Sequence, residues 1–320
     1  MRPIPHESTA SYLERLAGAY RTTTAHLLDS LGIALTHPRN SRGGSAGSEL
    51  RLDPAAQHRL AVFARTPLED LRRALPRLTA NPTHHHSPDA RANSGAHHTT
   101  AAGEPRPPTA TWQRCEPDEH PVLACPACTL RHTRGATSRA HVHPPAHQRL
   151  CPLHRHWSLD PDHHLTTVAL PELHRAHREH QYLLRHPQAG DATTWARAIT
   201  TRWYDQQSIL ATRWQHRLKR LAGSNPHAAP AGKSWALHAR ALITYPETIV
   251  LARTLATTNL PQQSRQGTDP GPHPAITALC RTTAHRLGIA RLTPPPGDLW
   301  WTWIHHTTTP ATKHRSRTTW

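Results

Sequence analysis

The sequence has few of the features that mark membrane or secreted proteins. It contains no run of about 18 apolar residues, so we expect no membrane span. Its opening residues, MRPIPHEST, lack the apolar segment of a secretory signal peptide. Five cysteines in 320 residues are too few for a disulfide scaffold. These absences together predict a cytoplasmic protein.

Lysine is also scarce, although the chain is strongly basic. The formal net charge is +17, and only three of the 38 Lys and Arg residues are lysines. An arginine fork can hold two phosphate oxygens at once, so this charge favours a nucleic-acid or nucleoprotein partner. GC-rich codons offer another explanation for the use of arginine and for the 30 histidines. They explain the excess of basic over acidic residues less well.

The apolar pattern predicts a mainly α chain with a small N-terminal helical domain. Ser8 can cap a first helix. The predicted buried stripe of that helix contains Tyr12, Leu13, Leu16, Ala17 and Tyr20. A second short helix should begin near Thr22–Thr24 and end at Gly32. Such a pair is typical of a helix-turn-helix, but also of any helical hairpin.

Shifts in composition divide the rest of the chain. Apolar residues make up 36% of the sequence and 31 prolines interrupt it, which indicates modest folded parts joined by disordered linkers. We expect a loop over 36–53 and a pair of short helices over 275–292. The predicted segments are a helical domain at 1–78, a low-complexity linker at 79–110, a cysteine-bearing module at 111–170, basic amphipathic helices at 171–222, a helical C-terminal region at 233–304 and a basic tail at 305–320.

The clearest helical periodicity lies between residues 192 and 221. Tryptophan, leucine and isoleucine recur there at steps of three, four or seven, which predicts one side of a long helix. Its arginines fall mostly off the apolar stripe. One interpretation is a solvated basic back, and the other is a helix laid against DNA phosphates. The candidate DNA contacts on this helix are Arg197, Arg202, Arg213 and Arg217.

Two short motifs of the same outline indicate a metal site. Cys125-Pro-Ala-Cys128 and Cys151-Pro-Leu-His154 are separated by 22 residues. A two-residue spacer lets both ligands of a tight turn point at one tetrahedral centre, and the proline stiffens that turn. Three thiolates and one imidazole favour a single structural Zn²⁺ ion. Other ligand choices nearby stay open, namely Cys115, His132, His141, His143, His147 and His156.

The pattern around these motifs does not favour catalysis. A filled Cys₃His shell leaves no coordination position for a water, which a catalytic zinc needs. The residues before Cys125 also lack the upstream His-x-Glu of zinc deaminases, because Glu119-His120 has the reverse order. Gly232-Lys233-Ser234 resembles the end of a P-loop, but His227 stands where that motif needs its first glycine. We therefore predict a protein that is not an enzyme.

Two stretches of the chain resemble the TniQ family, relatives of TnsD that select targets for transposons. The N-terminal stretch, PIPHESTASYLERLA at 3–17, resembles the family opening of proline, Glu-Ser, Ser-aromatic-Leu and Arg-Leu-Ala. The second stretch is the CPAC and CPLH pair followed by Trp157. Together they span roughly residues 3–160. The chain departs from the family in its long linker and in having no second cysteine pair soon after His154.

This resemblance implies a non-catalytic adaptor for transposition target-site selection. Such proteins bind double-stranded DNA, combine helix-turn-helix elements with zinc knuckles, and recruit an AAA+ ATPase of the TnsC/TniB kind and a transposase. It also implies a bacterial, nucleoid-associated location. The competing hypotheses are a protein-interaction scaffold, a domesticated DNA-binding regulator, and a zinc hydrolase or nuclease. The oligomeric state stays open, a homodimer included.

Overall fold

The structure is a computed structural model in which the described chain forms two compact units. The units are Met1–His164 and Leu165–Trp320. The predicted linker lies outside the described residues over 80–106, as does the predicted basic tail from 309 onward. The structure describes residues 1–36, 48–79, 107–115, 119–145, 149–207, 209–227, 233–258, 274–294 and 297–308.

The first unit begins with the two predicted helices. Helix α1 spans Thr9–Ala19, and the Ser8 hydroxyl caps it by accepting a hydrogen bond from the Ser11 amide. Helix α2 spans Thr24–Ser30, and Gly32 follows it at a φ of 66°, which a glycine adopts without strain. The α1 stripe is buried as expected except at Tyr20, which is 60% exposed. Tyr20 was wrongly assigned to the core, because α1 ends one residue before it.

A three-stranded sheet completes the helical N-terminal part. Strand β1 spans Ala34–Thr36, and β2 spans Ser48–Leu52. The centre of the sheet is β3, Thr109–Arg114, which runs parallel to β1 and antiparallel to β2. Helices α3, Pro54–Ala64, and α4, Leu68–Ala74, lie between β2 and β3 in the chain.

This sheet corrects two sequence predictions. The expected loop over 36–53 is a strand from Ser48 to Leu52, where Leu50 and Leu52 are fully buried. Glu49, between Ser48 and Leu50, is also buried, although a charged side chain usually indicates an exposed position. The predicted domain boundary before residue 111 is also wrong, since β3 begins inside the expected linker and fills the middle of the sheet.

The cysteine-bearing segment is made of short strands and one helix. Val122–Leu123 (β4) pairs with His141–Val142 (β5), and helix α5, Pro126–His132, lies between them in the chain. Strands β6, Leu150–Cys151, and β7, His156–Ser158, then pair as an antiparallel hairpin. The last strand, β8, spans His164–Thr166.

The second unit consists of helices that pack around the longest of them, which has 25 residues. These helices are α6, Pro171–Leu183, α7, Ala189–Asp205, α8, Ala211–Ser224, α9, Lys233–Thr257, α10, Pro274–Leu287, and α11, Leu299–Thr308, and α9 is the longest. Helices α6, α7, α8 and α10 all contact α9, and the apolar side chains of Leu242, Ile243 and Ile249 are fully buried. None of the described helices has the length and apolar character needed to cross a membrane.

Two helix predictions in this unit are wrong in detail. The single helix expected over 192–221 is broken between α7 and α8, where Gln207 and Ile209 adopt positive φ angles of 51° and 45°. The apolar stripe still recurs across the break, because Trp203 and Leu210 are both buried. The pair of short helices expected over 275–292 is one helix, α10, followed by Gly288 at a φ of 62°. The mainly α class is confirmed.

Candidate metal centre and basic residues

The first metal-binding motif is built on the N-terminus of α5. Cys125 precedes the helix and Pro126 occupies its first position, where a missing N–H costs no hydrogen bond. The Cys125 carbonyl accepts from the Thr129 amide at 2.9 Å, which closes the first helical turn. Cys128 follows within that turn, so its side chain points to the same side as Cys125.

The second motif is the turn of the β6–β7 hairpin. Cys151 is the last residue of β6 and pairs with His156 of β7. The chain reverses over Pro152–Arg155, and Arg155 adopts the left-handed conformation at a φ of 53°. This tight reversal places His154 over Cys151, with 3.5 Å between the imidazole Nδ1 and the Sγ.

The structure brings the four predicted ligands together into one cluster. Their ligand atoms all lie within 4.8 Å of one another. His154 Nδ1 lies 3.4 Å from Cys125 Sγ and 3.3 Å from Cys128 Sγ, and the Sγ atoms of Cys128 and Cys151 are 3.7 Å apart. A tetrahedral zinc requires about 3.8 Å between sulfurs and about 3.5 Å between sulfur and nitrogen. The cluster can therefore hold one metal ion of this size.

The other candidate ligands that the structure describes lie outside the cluster. His156 comes nearest, with its Nδ1 4.0 Å from Cys125 Sγ, but its ring stacks against His164. His141 contacts the Pro161 carbonyl, and His143 contacts Glu49. Cys115 is buried elsewhere in the unit, and His147 lies outside the described residues. In the described part of the chain, the cluster comprises Cys125, Cys128, Cys151 and His154.

The cluster stabilises thiolate even before a metal is considered. A hydrogen bond from the Cys125 thiol lowers the pKa of Cys151 to about 4. The same bond raises the pKa of Cys125 above its ordinary value. Burial opposes ionisation of Cys151, while hydrogen bonds from His154 and Cys128 favour it. The cluster thus favours the thiolate form of Cys151, and thiolate is the form that binds a metal.

The N-terminal stretch that resembles TniQ forms a buried polar network. Glu7 is fully buried, and both of its carboxylate oxygens accept hydrogen bonds from the Arg15 guanidinium at 2.7 Å. The same carboxylate accepts from the Ile4 amide at 2.9 Å and from the Ser11 hydroxyl at 3.2 Å. The four donor groups belong to three residues of the 3–17 stretch, namely Ile4, Ser11 and Arg15. The network fixes how the chain enters α1.

This stretch contacts the metal-bearing segment directly. The Ser8 amide donates to the His141 carbonyl at 2.8 Å, and the His141 amide donates to the Ser11 hydroxyl at 3.0 Å. The His143 amide donates to the His6 carbonyl at 2.7 Å. Backbone groups at the entry to α1 therefore pair with β5, although the two segments are more than a hundred residues apart.

A second buried pair joins the sheet to the same segment and was not foreseen from the sequence. His143 Nε2 lies 2.6 Å from Glu49 Oε2, and the Glu49 side chain is fully buried. The other Glu49 oxygen accepts from the amides of Ala10 and Leu50. The contacts of Glu49 with Ala10 and His143 span 39 and 94 residues, so no local spacing signals them.

The four candidate arginines have different surroundings. Arg197 and Arg202 are exposed on α7. Arg213 donates to the carbonyls of Leu287 and Gly288, at the end of α10. The prediction for Arg217 is wrong, because its side chain is only 5% exposed and pairs with Glu247 at 2.8 Å.

Comparisons with known proteins add no relative to this description. No protein-family model, curated protein or solved structure matches the chain. The functional argument therefore depends on the residues and on their geometry.

Proposed function

We propose that this chain is a zinc-stabilised, non-catalytic DNA-binding adaptor that selects target sites for transposition. In that role it recruits an AAA+ ATPase and a transposase. The observation that carries the proposal is the contact between the N-terminal stretch that resembles TniQ and β5, the strand that lies between the CPAC and CPLH motifs. The entry to α1 hydrogen-bonds to β5, and β5 follows the CPAC motif within the same unit. Two independent motif resemblances therefore belong to one folded module.

Zinc is the metal that this donor set favours. Three soft sulfur ligands and one imidazole suit zinc better than magnesium, calcium or manganese, which prefer oxygen. Cys125, Cys128, Cys151 and His154 would fill all four tetrahedral positions, which leaves none for water or substrate. The ion would therefore hold α5 against the β6–β7 hairpin and supply no chemistry. This supports an adaptor over a hydrolase or nuclease.

Duplex DNA is the partner that the charge favours, with a formal net charge of +17 over the chain. Fluorescence anisotropy with the zinc-loaded full chain and a long duplex tests this. Because binding to phosphates releases counterions, we expect affinity to fall by about 100-fold or more between about 50 and 200 mM salt. A matched titration in glutamate salts controls for anion binding to the protein. Absent or salt-insensitive binding would remove the DNA part of the proposal.

A protein-interaction scaffold is the second candidate, and one observation favours it. Leu153 is 67% exposed in the CPLH turn, and Leu130 is 41% exposed on α5. An exposed apolar patch is a feature of protein-interaction sites. Co-purification with a candidate AAA+ ATPase after nuclease treatment distinguishes the two. A complex that forms without DNA, from a chain that binds no duplex, would favour the scaffold.

A further inference from the structure

The exposed face of α6 and the turn that follows it carry a stripe of three arginines and one tyrosine. Arg175, Arg178, Tyr182 and Arg185 follow one another at steps of three, four and three residues. At 100° per residue Arg175, Arg178 and Tyr182 lie within an arc of about 60° on α6 and span about 10 Å, and Arg185 lies two residues beyond the end of the helix. The opposite face of α6 buries Leu173, Ala176, His177, His180 and Leu183.

The stripe is positively charged and available to a ligand. Arg175, Arg178 and Arg185 are exposed and make no ion pair within the described residues. The two acidic residues of α6, Glu172 and Glu179, are half-buried to one side. Glu172 is already paired with arginines of α8. Neither glutamate forms an ion pair with Arg175, Arg178 or Arg185 in the part of the chain that the structure describes.

Tyr182 makes the stripe different from an ordinary solvated face. Its side chain is 69% exposed, which is unusual for a large aromatic residue. The Arg185 guanidinium lies over its ring, 5.2 Å from the centroid. This contact holds the arginine in place and leaves the tyrosine hydroxyl free to donate to a phosphate oxygen.

The arginines on α7 lack these properties. Arg197 and Arg202 are five residues apart, so they lie about 140° apart around the helix. The exposed surface of α7 also carries Asp191, which opposes their charge, whereas Asp205 is paired with Arg240. Arg175 also lines a cleft of about 210 Å³, where the arginines of α8 and α10 are balanced by Glu172, Glu179 and Glu247, so the positive surface proposed for a ligand is the outer face of α6.

We infer that Arg175, Arg178, Tyr182 and Arg185 form the surface with which the helical unit binds the phosphate backbone of duplex DNA. This inference rests on the proposed function and names the contact surface for it. The stripe is long enough to reach several phosphates, which follow one another at about 3.4 Å per strand along the duplex axis. Its contacts would be to the backbone, so they would position the protein without reading sequence.

The test compares two double variants of the zinc-loaded full chain. Arg178→Gln with Arg185→Gln removes two charges from the stripe, and Arg197→Gln with Arg202→Gln removes two exposed charges from α7. We expect the stripe variant to bind duplex about tenfold more weakly, with the salt slope reduced by about two, and the α7 variant to bind nearly as wild type. Arg178→Lys with Arg185→Lys keeps the charge and should keep the salt slope, which separates a phosphate contact from a fold defect.

The other outcomes each decide the question. Equal losses in both double variants would mean diffuse attraction, and the stripe assignment would be wrong while DNA binding stood. A wild-type chain that binds no duplex would overturn both the stripe and the proposed function. Tighter binding to single strands, lost on Tyr182→Ala, would replace duplex with unpaired bases stacked on the tyrosine.

Discussion

At the scale of single residues, buried charges define the N-terminal part of this protein. Glu7 accepts four hydrogen bonds and Glu49 accepts three, and neither carboxylate is exposed. A buried carboxylate persists only where such partners replace its lost hydration. Glu7 and its partners belong to the stretch that resembles TniQ. The simplest physical explanation of that motif is that it shapes the entry to α1 and its contact with β5.

Replacing Glu7 with glutamine tests this role. The substitution leaves the Arg15 guanidinium buried without its counter-charge, because the Arg15 side chain is only 6% exposed. We expect a loss of about 3–5 kcal/mol in the free energy of unfolding, measured by urea denaturation. Arg73→Ala is the matched control, since its pair with Asp70 is exposed and should cost at most about 1 kcal/mol. Comparable small losses in both variants would show that the Glu7 network is not structural.

At the scale of elements, the metal cluster depends on one helix start and one hairpin turn. Cys125→Ser removes a ligand from the helix side, and we expect the purified chain to lose its single zinc, because three ligands bind far more weakly than four. Inductively coupled plasma mass spectrometry measures the zinc content. Cys115→Ser is the control, since Cys115 lies outside the cluster and should keep full zinc. Retention of stoichiometric zinc by Cys125→Ser would contradict the ligand assignment.

How far the sequence predicted each element depended on the range of the interactions involved. The cluster follows from two local spacings, and α1 follows from a cap and a stripe, so the pattern alone predicted both. Strand β2 was missed because only Leu50 and Leu52 carry its apolar alternation, and the partner that buries Glu49, His143, is 94 residues away. The break between α7 and α8 was missed because Gln207 and Ile209 adopt positive φ, which those residue types do not signal. Arg217 was misassigned because its partner Glu247 lies on another helix.

At the scale of the whole molecule, zinc should control the stability of one unit only. Residues 122–158 bear the cluster, and β5 within them hydrogen-bonds to the entry of α1. Metal loss would free the hairpin and α5, because binding energy in such small modules is folding energy. The loss should then reach α1 through β5. The core of the second unit, around α9, contains none of the four ligands.

Hydrogen exchange with and without a zinc chelator measures this difference. We expect chelation to accelerate exchange in β5 and at the Ser8 amide, which donates to the His141 carbonyl, and from there at the Tyr12 amide, which donates to the Ser8 carbonyl. Amides of α9 should keep their protection, since their hydrogen bonds are intrahelical and their side chains pack within the helical unit. Readdition of zinc should restore the original pattern, which controls for irreversible damage by the chelator. Unchanged exchange in α1 would mean that the contacts with β5 do not couple the N-terminal helices to the metal.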